Sequence, residues 1–351
     1  MRWVGPIQVH NDKFGSFSFD APLATYEAPI WHTVQRGARV TRAAGGIFVN
    51  LVRENMTRSF IVEAPNSSVA CSFIDAFASI DKARLVEIVE TTSRYASFQE
   101  LTNHIIGPLI FFRLSINSGN ASGHNMATKA AEAIQNWILG NFKEFQLRYV
   151  SLSGNICCDK KNSAINGISG RGRYVVAESI IPADLCKESL QTTPQALVDL
   201  NLKKNYIGSI VSGGSWSANA HFANVLLAFY LALGQDGANI VEGSQGLVYC
   251  SLDDHGHLKF SVTIPNLILG TVGNGKDLPA VKANLQRLEC LSKDGEAIQG
   301  GQKLALQAGA TVLCAELSLL AALCNNGELM RAHEIIERKS SHRRFKSEKI
   351  F

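Results

Sequence analysis

Hydrophobic and polar positions along this chain change period several times, and those changes predict its elements. From about Asn125 to Gly140, apolar Ala130, Ala133, Ile134, Trp137 and Ile138 recur at the spacing of one helix face. Asn219–Leu233 and the Ala- and Leu-rich Gln302–Leu323 read as two stronger helices. Shorter apolar runs at Phe60–Ala64, Leu109–Ile116 and Phe145–Leu152 read as strands. Pro65-Asn66-Ser67-Ser68 supplies capping residues for a helix after the first of them. Gly246–Leu252 and Leu258–Val262 flank Asp-Asp-His-Gly-His as the arms of a hairpin. The texture shifts near Phe60 and again near Ser151. The roughly 90 residues between, alternating strand and helix, predict a small α/β domain inserted in a larger one.

Length and composition narrow the class. At 351 residues the chain exceeds one ordinary domain of about 100–200. With 46% hydrophobic and 18% charged residues it is too apolar for a disordered protein. The longest apolar run, Val225–Leu233, falls short of the roughly 20 residues that a membrane span needs. The first residues carry no export signal, so a soluble intracellular protein is expected. The net charge of +4 is concentrated at one end: 338–351 holds six Lys/Arg against one acid, leaving 1–337 close to neutral. A neutral body argues against a nucleic-acid groove, and the basic end reads as a solvated tail, with phosphates or acidic lipid as the alternative. Eight cysteines without Cys-x-x-Cys spacing read as reduced thiols, several in apolar surroundings.

The common chemical motifs are mostly absent. Gly270-Thr-Val-Gly-Asn-Gly275-Lys276-Asp277 resembles a phosphate-binding loop, but Asp277 stands where a magnesium-binding hydroxyl is required. There is no G-x-G-x-x-G; Gly170-Arg-Gly172 starts one and fails. Gly119-Asn-Ala-Ser-Gly123 lies between a strand and a helix, the context in which backbone N–H groups face a pyrophosphate, though an ordinary strand–helix turn looks the same. No G-x-S-x-G elbow occurs. His255 and His257 beside two aspartates are read as a polar hairpin tip rather than a metal site.

Charged residues embedded in small or apolar runs carry more information. Ser153-Gly-Asn155-Ile-Cys-Cys-Asp159-Lys160-Lys161 follows a strand, Gly234-Gln-Asp236 ends an apolar helix, and Glu27 sits in Ala24-Thr-Tyr-Glu27-Ala-Pro. Together they suggest an ammonium held among carboxylates, an arrangement suited to an oxyanion. At these residues the chain resembles the 3-hydroxy-3-methylglutaryl-CoA (HMG-CoA) reductases, more the eukaryotic and archaeal type (class I) than the divergent bacterial one. The resemblance runs from Trp3 to about Lys339 in the family's order. It also includes Asn55-Met-Thr-Arg58, Thr92-Ser-Arg94-Tyr, Asn201-Leu-Lys-Lys204-Asn, Asn219-Ala-His221-Phe-Ala-Asn224, Gly270-Thr-Val-Gly, Ala315-Glu-Leu-Ser-Leu and Arg331-Ala-His333.

The resemblance implies an α+β fold. A large α/β domain around a long central helix (1–59 and 152–330) would bind substrate and CoA. An inserted ferredoxin-like domain (60–151) would bind NAD(P), and 331–351 would carry a catalytic histidine and the basic tail. It further implies a cytoplasmic homodimer or larger homo-oligomer with active sites between subunits, the Ser153–Asn166 loop reaching across. The implied reaction reduces HMG-CoA to mevalonate and CoA, in isoprenoid biosynthesis, with two NADPH and no metal.

The resemblance also implies the residue roles. Lys160 would stabilise the oxyanion, Glu27 would supply a proton at the aldehyde stage, Asp236 would hold both, and His333 would protonate the departing thiolate. Arg58, Ser153, Asp159, Lys161, Lys204 and Asn224 would meet the glutaryl end, and Arg36 and Arg39 the CoA phosphates. Ser93, Arg94, Asn120, Gly123, Asn125 and Gly273 would contact the cofactor. His104, His124 and His221 receive no catalytic role.

Departures from the family concentrate on cofactor and CoA recognition. The family's N-terminal helical portion and its Glu-Asn-x-Ile-Gly segment have no counterpart here. Its Asp-x-Met-Gly-x-Asn loop reads Asn120-Ala-Ser-Gly123-His-Asn125, and Val-Gly-Gly-Gly-Thr becomes Val272-Gly-Asn-Gly-Lys276. One extra residue precedes His333 near Asn325-Asn326. Arg94 and Lys276 are candidates for a 2′-phosphate, so NADPH is expected, with NADH open. The alternative functions are reduction of a carrier-protein or other acyl thioester, or a catalytically silent member used for binding.

Overall fold

The computed structural model describes residues 1–291 and 299–338. The predicted basic tail therefore lies outside the described residues, apart from Arg338. Among the described residues the strands are β1 (Arg2–Asn11), β2 (Gly15–Leu23), β3 (Ile47–Glu63), β4 (Ser97–Ile106), β5 (Leu109–Asn117), β6 (Arg148–Ser151), β7 (Gly172–Ile181), β8 (Leu247–Leu252) and β9 (Leu258–Leu267). They run β2-β1-β3-β7-β9-β8 along one path, with β5 and β6 also on β3 and β4 on β5.

β3 connects two parts of the molecule. Its first half pairs with β7 from Phe48 to Asn55, and its second half pairs with β5 from Met56 to Glu63. Only Phe60–Ala64 was legible as strand, because Arg53-Glu54-Asn55 interrupts the apolar pattern where the strand passes from one sheet to the other. Two separate apolar cores follow from this. The larger contains β1, β7, β9 and the helices Pro29–Ala43, Phe222–Ala232 and Gly300–Cys324. The smaller packs Phe60, Phe73, Phe77 and Phe112 with Ile134 and Ile138 of the helix His124–Asn141.

Gly300–Cys324 runs through the larger core, and its alanines and leucines are buried on nearly all sides. It is long and apolar enough to cross a membrane, but 94% of that apolar window is covered by the rest of the fold. A second helix, Pro29–Ala43, lies directly against it. A Cβ on Gly37 would sit 1.9 Å from the Cys314 carbonyl oxygen, so the close approach requires glycine.

Two predicted elements are shorter than expected. The helix predicted from Asn219 begins at Phe222, because residues 219–221 anchor the chain instead. Asn219 donates to the Ser244 and Gly246 carbonyls, and the Glu316 carboxylate accepts from the Ala220 and His221 N–H groups. The strand predicted at Phe145–Leu152 is confined to Arg148–Ser151. Lys143–Phe145 forms a tight helical turn that ends on left-handed Gln146, φ 51°. The hairpin forms as predicted: Asp253 Oδ1 accepts from the His255 and His257 N–H groups at its tip. Among the described residues no cluster of His, Cys, Asp and Glu could hold a metal, and all eight cysteines are free.

Candidate active site

After β6 the chain enters an irregular loop in which Asn155, Cys158 and Lys160 adopt left-handed φ of 58°, 48° and 56°. Non-glycine residues rarely take this conformation, and a run of them marks a loop held by its surroundings. Lys160 projects from this loop, and its Nζ lies 2.8 Å from Oδ2 of Asp236. Asp236 is itself fixed, its Oδ1 capping the turn Gly237–Asn239 through the Ala238 N–H. The hydrogen bond to Asp236 raises the Lys160 ammonium above the ordinary lysine range, and the same bond lowers the Asp236 carboxyl. Both groups are therefore ionised at neutral pH.

Beneath this pair lies a buried ionic layer. Arg171, 1% exposed, places Nη1 2.8 Å from Glu242 and Nη2 3.0 Å from Asp159. Asp159 also faces Arg58 at 3.5 Å and His124 at 3.9 Å. Burial, with Arg171 next, holds the His124 imidazole down at about 4, so it is neutral at physiological pH. Its Nε2 is buried without a hydrogen-bond partner among the described residues. Lys276 is buried too, donates to the Gly234 carbonyl, and is lowered to about 8 by desolvation. This commitment removes it from the candidates for a 2′-phosphate.

Arg58, His124, Asp159, Lys160, Asp236 and Lys276 border a cleft of about 690 Å³ that also reaches Gly123, Asn125 and Gly273. Gly123, φ 91°, opens the helix His124–Asn141, and a Cβ there would meet Ser118 at 2.6 Å. Gly273, φ 103°, has open space where a Cβ would project. A second cavity of about 540 Å³ adjoins the first along Ala121, Met126 and Val272, and Tyr95 and Asn120 help line it. The Arg94 guanidinium stacks 4.7 Å from the Tyr95 ring centre, and Ser93 Oγ accepts from the Tyr95 N–H. Asn120 braces the loop: its Oδ1 accepts from Gly301 N–H and its carbonyl from Thr271 N–H.

The remaining expected residues lie elsewhere. Glu27 is exposed outside this cleft, where its carboxylate accepts from Asn224 Nδ2 at 3.1 Å. Asn224 stands in the first turn of the helix Phe222–Ala232, and Asp236 follows the last residue of that helix by four positions. His333 belongs to Glu328–His333 and lines a smaller cleft with Pro29, His32 and Arg36, on Glu27's side of the molecule. Arg36 is held by Glu328 at 2.7 Å and by the Ser189 and Leu190 carbonyls, while Arg39 is exposed. Lys161 donates to the Asp159 carbonyl and Lys204 to Asn205 Oδ1. Ser153 is exposed, and its carbonyl accepts from Ser151 Oγ. One chain thus presents two half-sites, Lys160 with Asp236 in one and Glu27 with Asn224 and His333 in the other.

Three residues in or beneath the cleft escaped the sequence reading. Arg171 was visible only as the centre of a failed Gly-Arg-Gly fingerprint, Glu242 lay in an unremarked turn, and His124 was given no role. The one available signal was Arg171 and Glu242 as charges in largely apolar surroundings. By contrast His221 packs beside the buried Glu316, at 3.9 Å, in a structural position.

A family profile described as hydroxymethylglutaryl-coenzyme A reductase matches residues 3–338. The 3-hydroxy-3-methylglutaryl-coenzyme A reductase of Pyrococcus abyssi is 35% identical over 96% of this chain and 82% of its own length. That of Methanocaldococcus jannaschii is 37% identical over 96% and 82%. A structure of the class II reductase from Streptococcus pneumoniae, bound to NADPH, shares the fold with a TM-score of 0.71. It covers 92% of this chain and 84% of that one, at only 16% identity. The archaeal relatives are thus much nearer in sequence than this class II enzyme.

Proposed function

The chain belongs to the hydroxymethylglutaryl-coenzyme A reductase family, an oxidoreductase family, and from that premise we propose that it reduces (S)-HMG-CoA to mevalonate and CoA at the expense of two NADPH. The observation that carries this is the Lys160–Asp236 pair, 2.8 Å apart at the edge of a large polar cleft. Each reduction converts a carbonyl oxygen to an alkoxide, and Lys160 presents a fixed ammonium to that oxygen. Removing such a donor typically costs about 10²–10³ in rate. Asp236 keeps the ammonium charged and aimed.

The other half-site supplies protons. Glu27 protonates the alkoxide of the aldehyde stage, and His333 protonates the departing CoA thiolate. Arg58 and Lys161 provide positive charge for the glutaryl carboxylate, with Ser153, Asp159, Lys204 and Asn224 around it. Arg39 and, once released from Glu328, Arg36 meet the CoA phosphates. Glu27 and His333 lie outside the cleft that Lys160 and Asp236 border in one chain, so their union calls for a homodimer. Ile207, Ile210 and Val211, 50%, 75% and 82% exposed on one helical stretch, offer apolar surface for it.

The residues present also fit a nicotinamide dinucleotide. The two adjoining cavities share a border, Gly273 leaves backbone accessible, and the Arg94 cation stands beside the outer cavity. When bound there, NADPH would supply the hydride for each stage; Asn125 and Gly273 would orient its inner end, Ser93 its phosphates and Arg94 its 2′-phosphate. We assign this task to a ferredoxin-like unit spanning 60–151, supported by its separate aromatic core and the strand order β4-β5-β3-β6. A cytoplasmic location accords with the buried apolar helix Gly300–Cys324.

The test is oxidation of NADPH and NADH, measured side by side with HMG-CoA, with mevalonate identified as product. Faster turnover with NADPH is expected. A folded dimer that oxidises neither would refute the reading.

A further inference from the structure

The buried carboxylate of Glu242 touches neither cleft nor solvent, yet it is bonded to both loops that build the Lys160–Asp236 pair. Its Oε1 accepts from the Lys160 backbone N–H at 3.1 Å, from Arg171 Nη1 at 2.8 Å and from Asn239 Nδ2 at 2.9 Å. Lys160 is left-handed, so its N–H must be held in a conformation that it would otherwise avoid. Asn239 closes the turn that Asp236 caps, its own N–H donating to the Asp236 carbonyl at 3.1 Å. Arg171 extends the same network to Asp159, beside Lys160 in sequence.

We infer that Glu242 is a positioning residue: one buried carboxylate, neutralised by Arg171, clamps the Lys160 loop and the Asp236 turn to each other and so sets the separation of the pair. This rests on the reading of Lys160 as the cation that receives the oxyanion. Charge-assisted bonds to a buried acceptor are strong and costly to leave unmade, so a single atom can hold two loops. Glu242 also acts on Lys160 through space: with Asp236 and Asp159 it favours the charged ammonium, against burial.

Glu242→Gln keeps the shape and one acceptor oxygen but removes the charge. Its kcat should fall about 10–100-fold on the thioester and on free mevaldehyde alike, with KM for either changed less than about threefold. The alkaline limb of kcat should move to lower pH. Lys160→Ala added to E242Q should cost far less than it does alone, because the two changes damage one device. Amide exchange across 155–166 should quicken by at least about tenfold while β7 stays protected. This last readout needs no turnover, so a wild-type protein without reductase activity would refute the proposed function and still leave the clamp testable. If E242Q does not fold, Asn239→Ala, which cuts one strut and leaves the Arg171 pair intact, should show the same pattern at about a fifth to a tenth of wild-type kcat. Additive losses for the double variant, or unchanged exchange across 155–166 in the folded variant, would overturn the inference.

Discussion

A lysine in a left-handed backbone, 2.8 Å from an aspartate, is the residue-level centre of this protein, and its neighbours divide the chemistry. Lys160→Ala should slow reduction of both the thioester and free mevaldehyde by about 10²-fold or more. His333→Gln should slow the thioester reaction and largely spare the aldehyde, since only the first stage expels a thiolate. Equal losses on the aldehyde would contradict these roles. Arg94→Ala should raise KM for NADPH about tenfold and leave NADH little changed, because Lys276 is tied to the Gly234 carbonyl. His124 makes a further prediction. Its imidazole titrates near 4 in the fold against 6.5 ordinarily, so between those values the unfolded chain binds more protons. Acidification through that range therefore destabilises the fold. His124→Gln should retain more of its neutral-pH melting temperature at pH 4.5 than wild type does.

Element packing explains residues that chemistry does not. Helix Pro29–Ala43 contacts the central helix through Gly37, where a Cβ would collide with backbone rather than with a movable side chain. Gly37→Ala should therefore cost about 1–3 kcal/mol or more, read as a lower denaturation midpoint. The same displacement would disturb Pro29 and His32 beside His333, so thioester reduction should fall further than folding alone explains. β3 illustrates how an element can hide from its own sequence. Its Arg53-Glu54-Asn55 interruption is filled from outside: Glu54 pairs with Arg173 at 3.0 Å, and Asn55 donates to the Ser169 carbonyl. Periodicity cannot register partners more than a hundred residues away.

At the scale of the molecule, the two half-sites impose a requirement on assembly. If active sites join them across a dimer, Glu27→Gln and Lys160→Ala each abolish activity alone. Mixed by co-refolding, they should regain roughly a quarter of wild-type turnover, since half the dimers are hybrids with one intact site each. No regain would mean that both residues of a site come from one chain. Local pattern in the sequence determined the long apolar helix, the hairpin and the reduced cysteines, because each depends on neighbours a few residues away. The order of short motifs likewise determined the family. Tertiary structure alone decided which charges share a cleft. Lys160 meets Asp236, Arg171 meets Glu242, and Lys276 turns inward, through contacts that span tens of residues and depend on burial. It also left Glu27 outside the cleft that Lys160 and Asp236 border, a placement that no ordering of motifs along the chain encodes.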